Sequence, residues 1–149
     1  MTNEAVPKVG INRDAPKHAM DVNGVTQAEQ YIGKGNVWNS SNITFGTGAG
    51  TGPTLSTIIG SNNAFTIVFT TGTAPTANGI VFTASFPKSF PAGFTQATFS
   101  PYSTNASATD YNKFKISSAA LNQTQLSAVG TLSASTSYGF MFTVNGYDA

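Results

Sequence analysis

Ionisable side chains almost vanish from this sequence after residue 36. The first 36 residues carry Glu4, Lys8, Arg13, Asp14, Lys17, Asp21, Glu29 and Lys34, whereas the remainder carries only Lys88, Asp110, Lys113, Lys115 and Asp148. Over all 149 residues charge amounts to 9%, against roughly 25% in ordinary soluble domains. The long remainder is made of Thr, Ser, Asn, Gly, Ala and aromatics. It can hide its backbone polar groups in sheets, but it offers few of the side chains that run chemistry. A mixed-charge attachment segment followed by an uncharged β head is the expectation, a structural or adhesive part and not an enzyme.

The same balance narrows the partners. Net charge is +1 with no basic run, which leaves nucleic acid no electrostatic footprint. Near-zero charge also removes long-range repulsion between copies of the chain. Cysteine is absent, so stability draws on neither disulfides nor thiolate metal sites. No apolar run approaches the roughly 18 residues of a membrane helix, and no membrane insertion is expected. The N-terminus lacks the basic and apolar regions of a secretory signal. An external location would need another route, such as assembly into a particle released by lysis.

Three regions are expected. Residues 1–38 form an extended assembly segment, broken by Pro7, Pro16 and several glycines. Asn23–Gly24 suits a turn, and Thr26–Tyr31 is the one helix-like interval, with Thr26 as cap and Glu29 three residues on. So thin a segment cannot bury enough apolar area alone. Pairing with copies of itself would explain why Val9, Ile11, Met20, Val22 and Ile32 are apolar, and these with Trp38 are the candidate neck or trimer contacts. Residues 39–63 read as a Gly/Thr/Ser-rich neck, with Gly46, Gly48, Gly50 and Gly52 suited to close chain approach or plain flexibility. Leu55, Ile58 and Ile59 are expected to pack under the head.

Residues 64–149 show period-two alternation. Phe65, Ile67 and Phe69 share one strand face. Ile80, Phe82, Ala84 and Phe86 repeat the pattern against Val81, Thr83 and Ser85. Phe94–Phe99 alternates less well, Lys113–Ser117 turns Phe114 and Ile116 inward and both lysines outward, Val129–Leu132 is a weak candidate, and Tyr138, Phe140, Phe142 and Val144 make a closing strand. Six short strands separated by turn signals predict a small antiparallel β-sandwich or barrel-like head. Val68, Val81 and Met141 add apolar groups on the second strand face. One face is then internal and the other meets a neighbouring subunit, which points to an obligate oligomer.

The leader Val9–Gly10–Ile11–Asn12–Arg13–Asp14–Ala15–Pro16–Lys17–His18–Ala19–Met20–Asp21–Val22–Asn23–Gly24–Val25 resembles a motif of tailed-bacteriophage tail fibres and other trimeric surface appendages. Its usual form is Gly-Ile-Gly, polar residues, Pro, a spacer, then Leu-Asp-Val-Asn-Gly. Asn12 here replaces the third residue of the first piece, and Met20 replaces the Leu. Gln27 to Gly35 also resembles the motif's continuation. Phe69–Thr73, Val81–Phe86 and Tyr138–Phe140 are similar to small β domains near fibre ends. The resemblance implies a homotrimeric tail-fibre, head-fibre or spike protein located on a virion. Its leader would attach to other phage virion proteins and its heads would adhere to host-surface glycan or protein. Pure capsid or tail decoration without a receptor is the alternative, and a polysaccharide depolymerase is a third reading. The chain is short for a tail fibre, so a stand-alone fibre, a tip fragment and a capsid spike all stay open, as does attachment to tail or capsid.

Single residues sharpen this. His18 has no second His or Cys to share a metal, and an exposed or interface histidine is the expectation. Asp14 and Asp21 flank it in a Gly/Pro-broken stretch suited to a solvated surface. Glycoside hydrolysis wants paired carboxylates, yet the head holds only Asp110 and Asp148. No catalytic residue, metal site or cofactor is expected. Trp38 suits a packing anchor at the neck or a sugar platform. In the Pro101–Asn112 loop and just beyond, aromatic faces and amides adjoin, which makes Tyr102, Asn105, Tyr111, Asn112 and Lys113 the candidate glycan contacts. Lys88 and Lys115 could join Lys113 against acidic polymers.

Overall fold

The computed structural model describes residues 9–11, 20–22, 38–90, 94–102 and 108–147. The chain divides into two units, Met1–Ile32 and Gly33–Ala149. In the first, β1 (Val9–Ile11) and β2 (Met20–Val22) pair in parallel, with Val9 opposite Met20 and Ile11 opposite Val22. Four of the expected neck contacts therefore sit in one strand pair. Ile32, His18, Asp14, the Asn23–Gly24 turn and the Thr26–Tyr31 interval lie outside the described residues.

The second unit is mainly β. Its strands are β3 (Ile43–Phe45), β4 (Thr54–Gly60), β5 (Ala64–Thr70), β6 (Ile80–Ser85), β7 (Phe94–Tyr102), β8 (Phe114–Ala120), β9 (Gln123–Ala128) and β10 (Ser137–Tyr147), with a single helical turn, α1 (Ala108–Tyr111), before β8. Two four-stranded antiparallel sheets result, ordered β4-β5-β10-β7 and β3-β6-β9-β8. They pack face to face as a sandwich over one aromatic core, and they do not close into a barrel.

Alternation builds that core. Phe65, Ile67 and Phe69 of β5 and Tyr138, Phe140, Phe142 and Val144 of β10 are all buried. Phe82 meets them from the opposite sheet, 5.7 Å from Phe69 and 5.9 Å from Phe142, both edge-on. Such ring pairs contribute roughly 0.5–1.5 kcal/mol each beyond the area they bury. Interlocked Phe side chains thus supply what Leu and Met supply elsewhere.

Several details depart from simple alternation. Ile80 was expected inward beside Phe82 and Val81 outward. A bulge between Ile80 and Phe82 in the pairing with β9 reverses them, since the extra residue lets Val81 and Phe82 both reach the core while Ile80 faces solvent. Val129–Leu132 is not a strand; the chain turns at Gly130, whose φ is +81°. The strand lies earlier, at Gln123–Ala128, where polar side chains hide it. Thr124 is buried with its hydroxyl donating to the Ser118 carbonyl, and Gln125 bonds Thr83 across the sheet. The first two residues of the expected Pro101–Asn112 loop, Pro101 and Tyr102, belong to β7. Pro101 sits in edge strand β7, where a missing N–H costs no ladder bond.

The interval 39–63, expected as a neck, contributes β3 to one sheet and β4 to the other. Two of its glycines serve close approach: a Cβ on Gly46 would run into the Ile80 carbonyl, and one on Gly48 into that of Gly79. Leu55 and Ile58 pack on the core, as expected, whereas Ile59 is 62% exposed. Trp38 is buried in its own chain's core, over Phe65 at 4.4 Å, with its indole N–H donating to the Ser61 carbonyl at 3.0 Å. That placement agrees with a packing anchor. It leaves no aromatic face for a sugar or for a neighbouring copy.

Candidate functional site

The chain crosses between the two sheets through α1. Strand β7 ends at Tyr102 in one sheet and β8 begins at Phe114 in the other, which puts Tyr102, α1 and the turn that follows it at one end of the sandwich. The Tyr111 hydroxyl donates to the Tyr102 carbonyl at 3.1 Å, which ties α1 to the end of β7. The Tyr111 ring stands edge-on to Phe140 at 5.5 Å and to Tyr138 at 6.1 Å. Its inner edge is therefore committed to the core. The Tyr102 side chain remains 45% exposed, and Asn112 is exposed in the turn that follows α1.

Lys113 reaches back one helical turn to Asp110, Nζ to Oδ1 at 2.8 Å. Asp110 is nearly buried, and its Oδ2 accepts from the Ser133 hydroxyl at 3.4 Å. The hydrogen bond to Asp110 raises the Lys113 ammonium above its ordinary range against a smaller opposing effect of burial. With its head group partly in water, the pair orients the turn more than it stabilises the fold.

Beneath this pair lies Tyr138, fully buried. Burial pushes its phenol up from the ordinary 10.0, the nearby Asp110 carboxylate adds to the rise, and Ser133 offsets part of it. Among the described residues the hydroxyl has no hydrogen-bond partner of good geometry. The folded state therefore favours neutral Tyr138 and charged Lys113. The stability tied to both is fully present below pH 10 and is lost as pH climbs through their raised values. Urea midpoints are expected to hold from pH 7 to about 9.5 and then to fall. Tyr138→Phe should flatten the fall while changing the midpoint little at pH 7. Superimposable pH curves for the two proteins would show that the phenol does not govern alkaline stability.

Four of the five expected glycan contacts, Tyr102, Tyr111, Asn112 and Lys113, thus belong to one end of the sandwich. Asn105 lies outside the described residues. Asp110, Ser133 and Tyr138 were not foreseen as part of this group. The Asp110–Lys113 spacing was a usable signal, since residues three apart on a helical turn face each other. Nothing in the sequence links Ser133 or Tyr138 to them. The arrangement offers an exposed aromatic face, amide and ammonium donors, and one carboxylate already held by a lysine. Among the described residues no three His, Cys, Asp or Glu side chains gather where a metal ion could sit. No helix there is long and apolar enough to cross a membrane.

No family model, curated protein or solved structure matches this chain.

Proposed function

We propose that this chain is a non-enzymatic fibre or spike protein of a bacteriophage virion, whose β heads adhere weakly and repeatedly to a host-surface glycan or protein. The observation that carries the adhesive part is the grouping of Tyr102, Tyr111, Asn112 and Lys113 at one end of the sandwich. A stacking face beside amide and ammonium donors suits a sugar ring. The leader sequence from Val9 to Val25 supports attachment to other virion proteins. A lone sheet of two three-residue strands is marginal in water, which supports completion of the leader by identical copies, as in a homotrimer. Several weak heads on one particle raise effective affinity without a deep pocket.

Host-surface polysaccharide immobilised on an array tests the reading. The full chain should be retained and leave the polymer uncut. Tyr102→Ala should weaken retention about tenfold, the equivalent of roughly 1.4 kcal/mol. Binding to no polysaccharide and to no host cell would leave capsid or tail decoration as the function, and release of short oligosaccharides would establish a depolymerase. Immunoelectron microscopy of phage particles tests the virion assignment itself; particles free of label would overturn it.

A further inference from the structure

We propose that the ligand taken at the Tyr102 end of the sandwich is an uncharged polysaccharide, and that acidic chains are refused because the lysine there is already neutralised from within. This rests on the glycan reading above and names the class of sugar that the site accepts.

Register shows which turns share that end. β5 stops at Thr70 opposite Ser137, where β10 begins, and Tyr102 stands opposite Gly139 two residues further on. β4 starts at Thr54, also opposite Thr70, and β9 stops at Ala128 opposite Phe114, where β8 begins. The turns 46–53, 71–79 and 129–136 therefore lie at the same end as Tyr102 and α1. None of their residues is ionisable, and neither is any residue from 103 to 107. Among the described residues, Asp110 and Lys113 are the only acid and base at that end.

These two cancel. Lys113 Nζ sits 2.8 Å from Asp110 Oδ1, and the Ser133 hydroxyl donates to Oδ2 at 3.4 Å. Asp110 is nearly buried. Drawing the ammonium away toward a ligand would leave a buried carboxylate short of its counter-charge, so the lysine is held where it is. Seen from water, the end carries no net charge.

The other two lysines of the head stand elsewhere. Sequence alone grouped Lys88 and Lys115 with Lys113 against acidic polymers, and the fold separates them. Phe114 is buried, so Lys115 beside it faces out from the β3-β6-β9-β8 sheet. Phe140 is buried, so Gly139 and its partner Tyr102 face out from the other sheet. The Lys88 carbonyl accepts from Asn62, and the neighbouring Asn63 carbonyl accepts from the Val144 N–H near the far end of β10. Lys88 therefore lies at the opposite end of the sandwich.

Charge thus selects the sugar. A uronate or sulfate group would shed water on entering and meet a cation already matched by its own carboxylate. A neutral ring needs only a face to stack on and partners for its hydroxyls. Tyr102 supplies the face and Asn112 an amide. An ammonium has three donors, and Asp110 takes one of those on Lys113.

The full chain is passed over an array of host polysaccharides, neutral ones beside ones bearing uronic acid, and over dextran sulfate as a plain polyanion. Neutral chains should hold it equally, within about twofold, from about 0.05 to 0.5 M salt, and dextran sulfate should not hold it. Asp110→Asn strips Lys113 of its counter-charge and should create retention on dextran sulfate, about fivefold above wild type in low salt and lost in high salt. Ala134→Lys, exposed one residue beyond Ser133, adds a cation with the pair intact and should give the same gain. Trp38 fluorescence reports that each variant is folded. Wild type held by acidic chains in low salt and released in high salt overturns the class and leaves the glycan reading standing. Folded variants that both stay off dextran sulfate also overturn it, since local charge would then not set the choice. Binding to no polysaccharide of either kind overturns the class and the glycan reading together.

Discussion

Replacing Phe140 with alanine is expected to cost the head about 3–5 kcal/mol, the range for emptying a buried aromatic site. The rings of Phe114, Phe99, Tyr111, Phe142 and Phe69 lie 4.8, 5.4, 5.5, 6.3 and 6.4 Å from it. Phe99, Phe142 and Phe69 share its sheet, Phe114 comes from the other sheet and Tyr111 from α1. One truncation therefore loosens both layers and the end that carries the candidate site. Domains of this size hold about 5–15 kcal/mol in total, so the variant should unfold at much lower urea. Trp38 fluorescence reports the transition, because the only tryptophan moves from a buried site to water. Thr98→Ala, exposed on β7, should stay within about 0.5 kcal/mol of wild type. A cost below about 1 kcal/mol for Phe140→Ala would mean that the shared rings are not what holds the sheets together.

Trp38→Ala should be nearly as damaging, again about 3–5 kcal/mol. The indole is 4% exposed, stacks at a tilt over Phe65 and stands edge-on to Phe86 at 6.1 Å. Its N–H satisfies the Ser61 carbonyl in the turn between β4 and β5. Trp38→Phe keeps a ring but orphans that carbonyl, and should cost less than the truncation but at least the lost bond, about 0.5–1.5 kcal/mol. Circular dichroism follows unfolding, since the fluorescent reporter is gone. An unchanged melting curve for Trp38→Ala would place the residue with the leader and outside the head's core.

These two variants mark different degrees of legibility. The buried faces of β5 and β10 were readable because every second residue is large and apolar. The edge strand β4 was not, although it carries Leu55 and Ile58. A bulge between Leu55 and Thr57 spaces its inward residues by three, which erases the period of two. Strand β9 was hidden by Gln, Thr and Ser whose hydrogen bonds are made across the sheet. β3 spans only three residues, too few to show a period. The candidate site divides in the same way. Tyr102, Tyr111, Asn112 and Lys113 are near in sequence, so their grouping was a local inference. Tyr138 on β10 and Ser133 in the loop before it come near Asp110 only because the start of β10 lies beside α1.

By itself the sequence determined that the chain is mainly β, nearly uncharged beyond its leader and packed with aromatic rings. Alternation and composition are properties of the covalent chain and need no partner to be seen. The tertiary structure alone decided that Val81 and not Ile80 enters the core, and that Trp38 belongs to the head. Each depends on which strand lies alongside and where a bulge shifts the register. A side chain's orientation is set by its own backbone, but what it meets is set by strands far away in sequence.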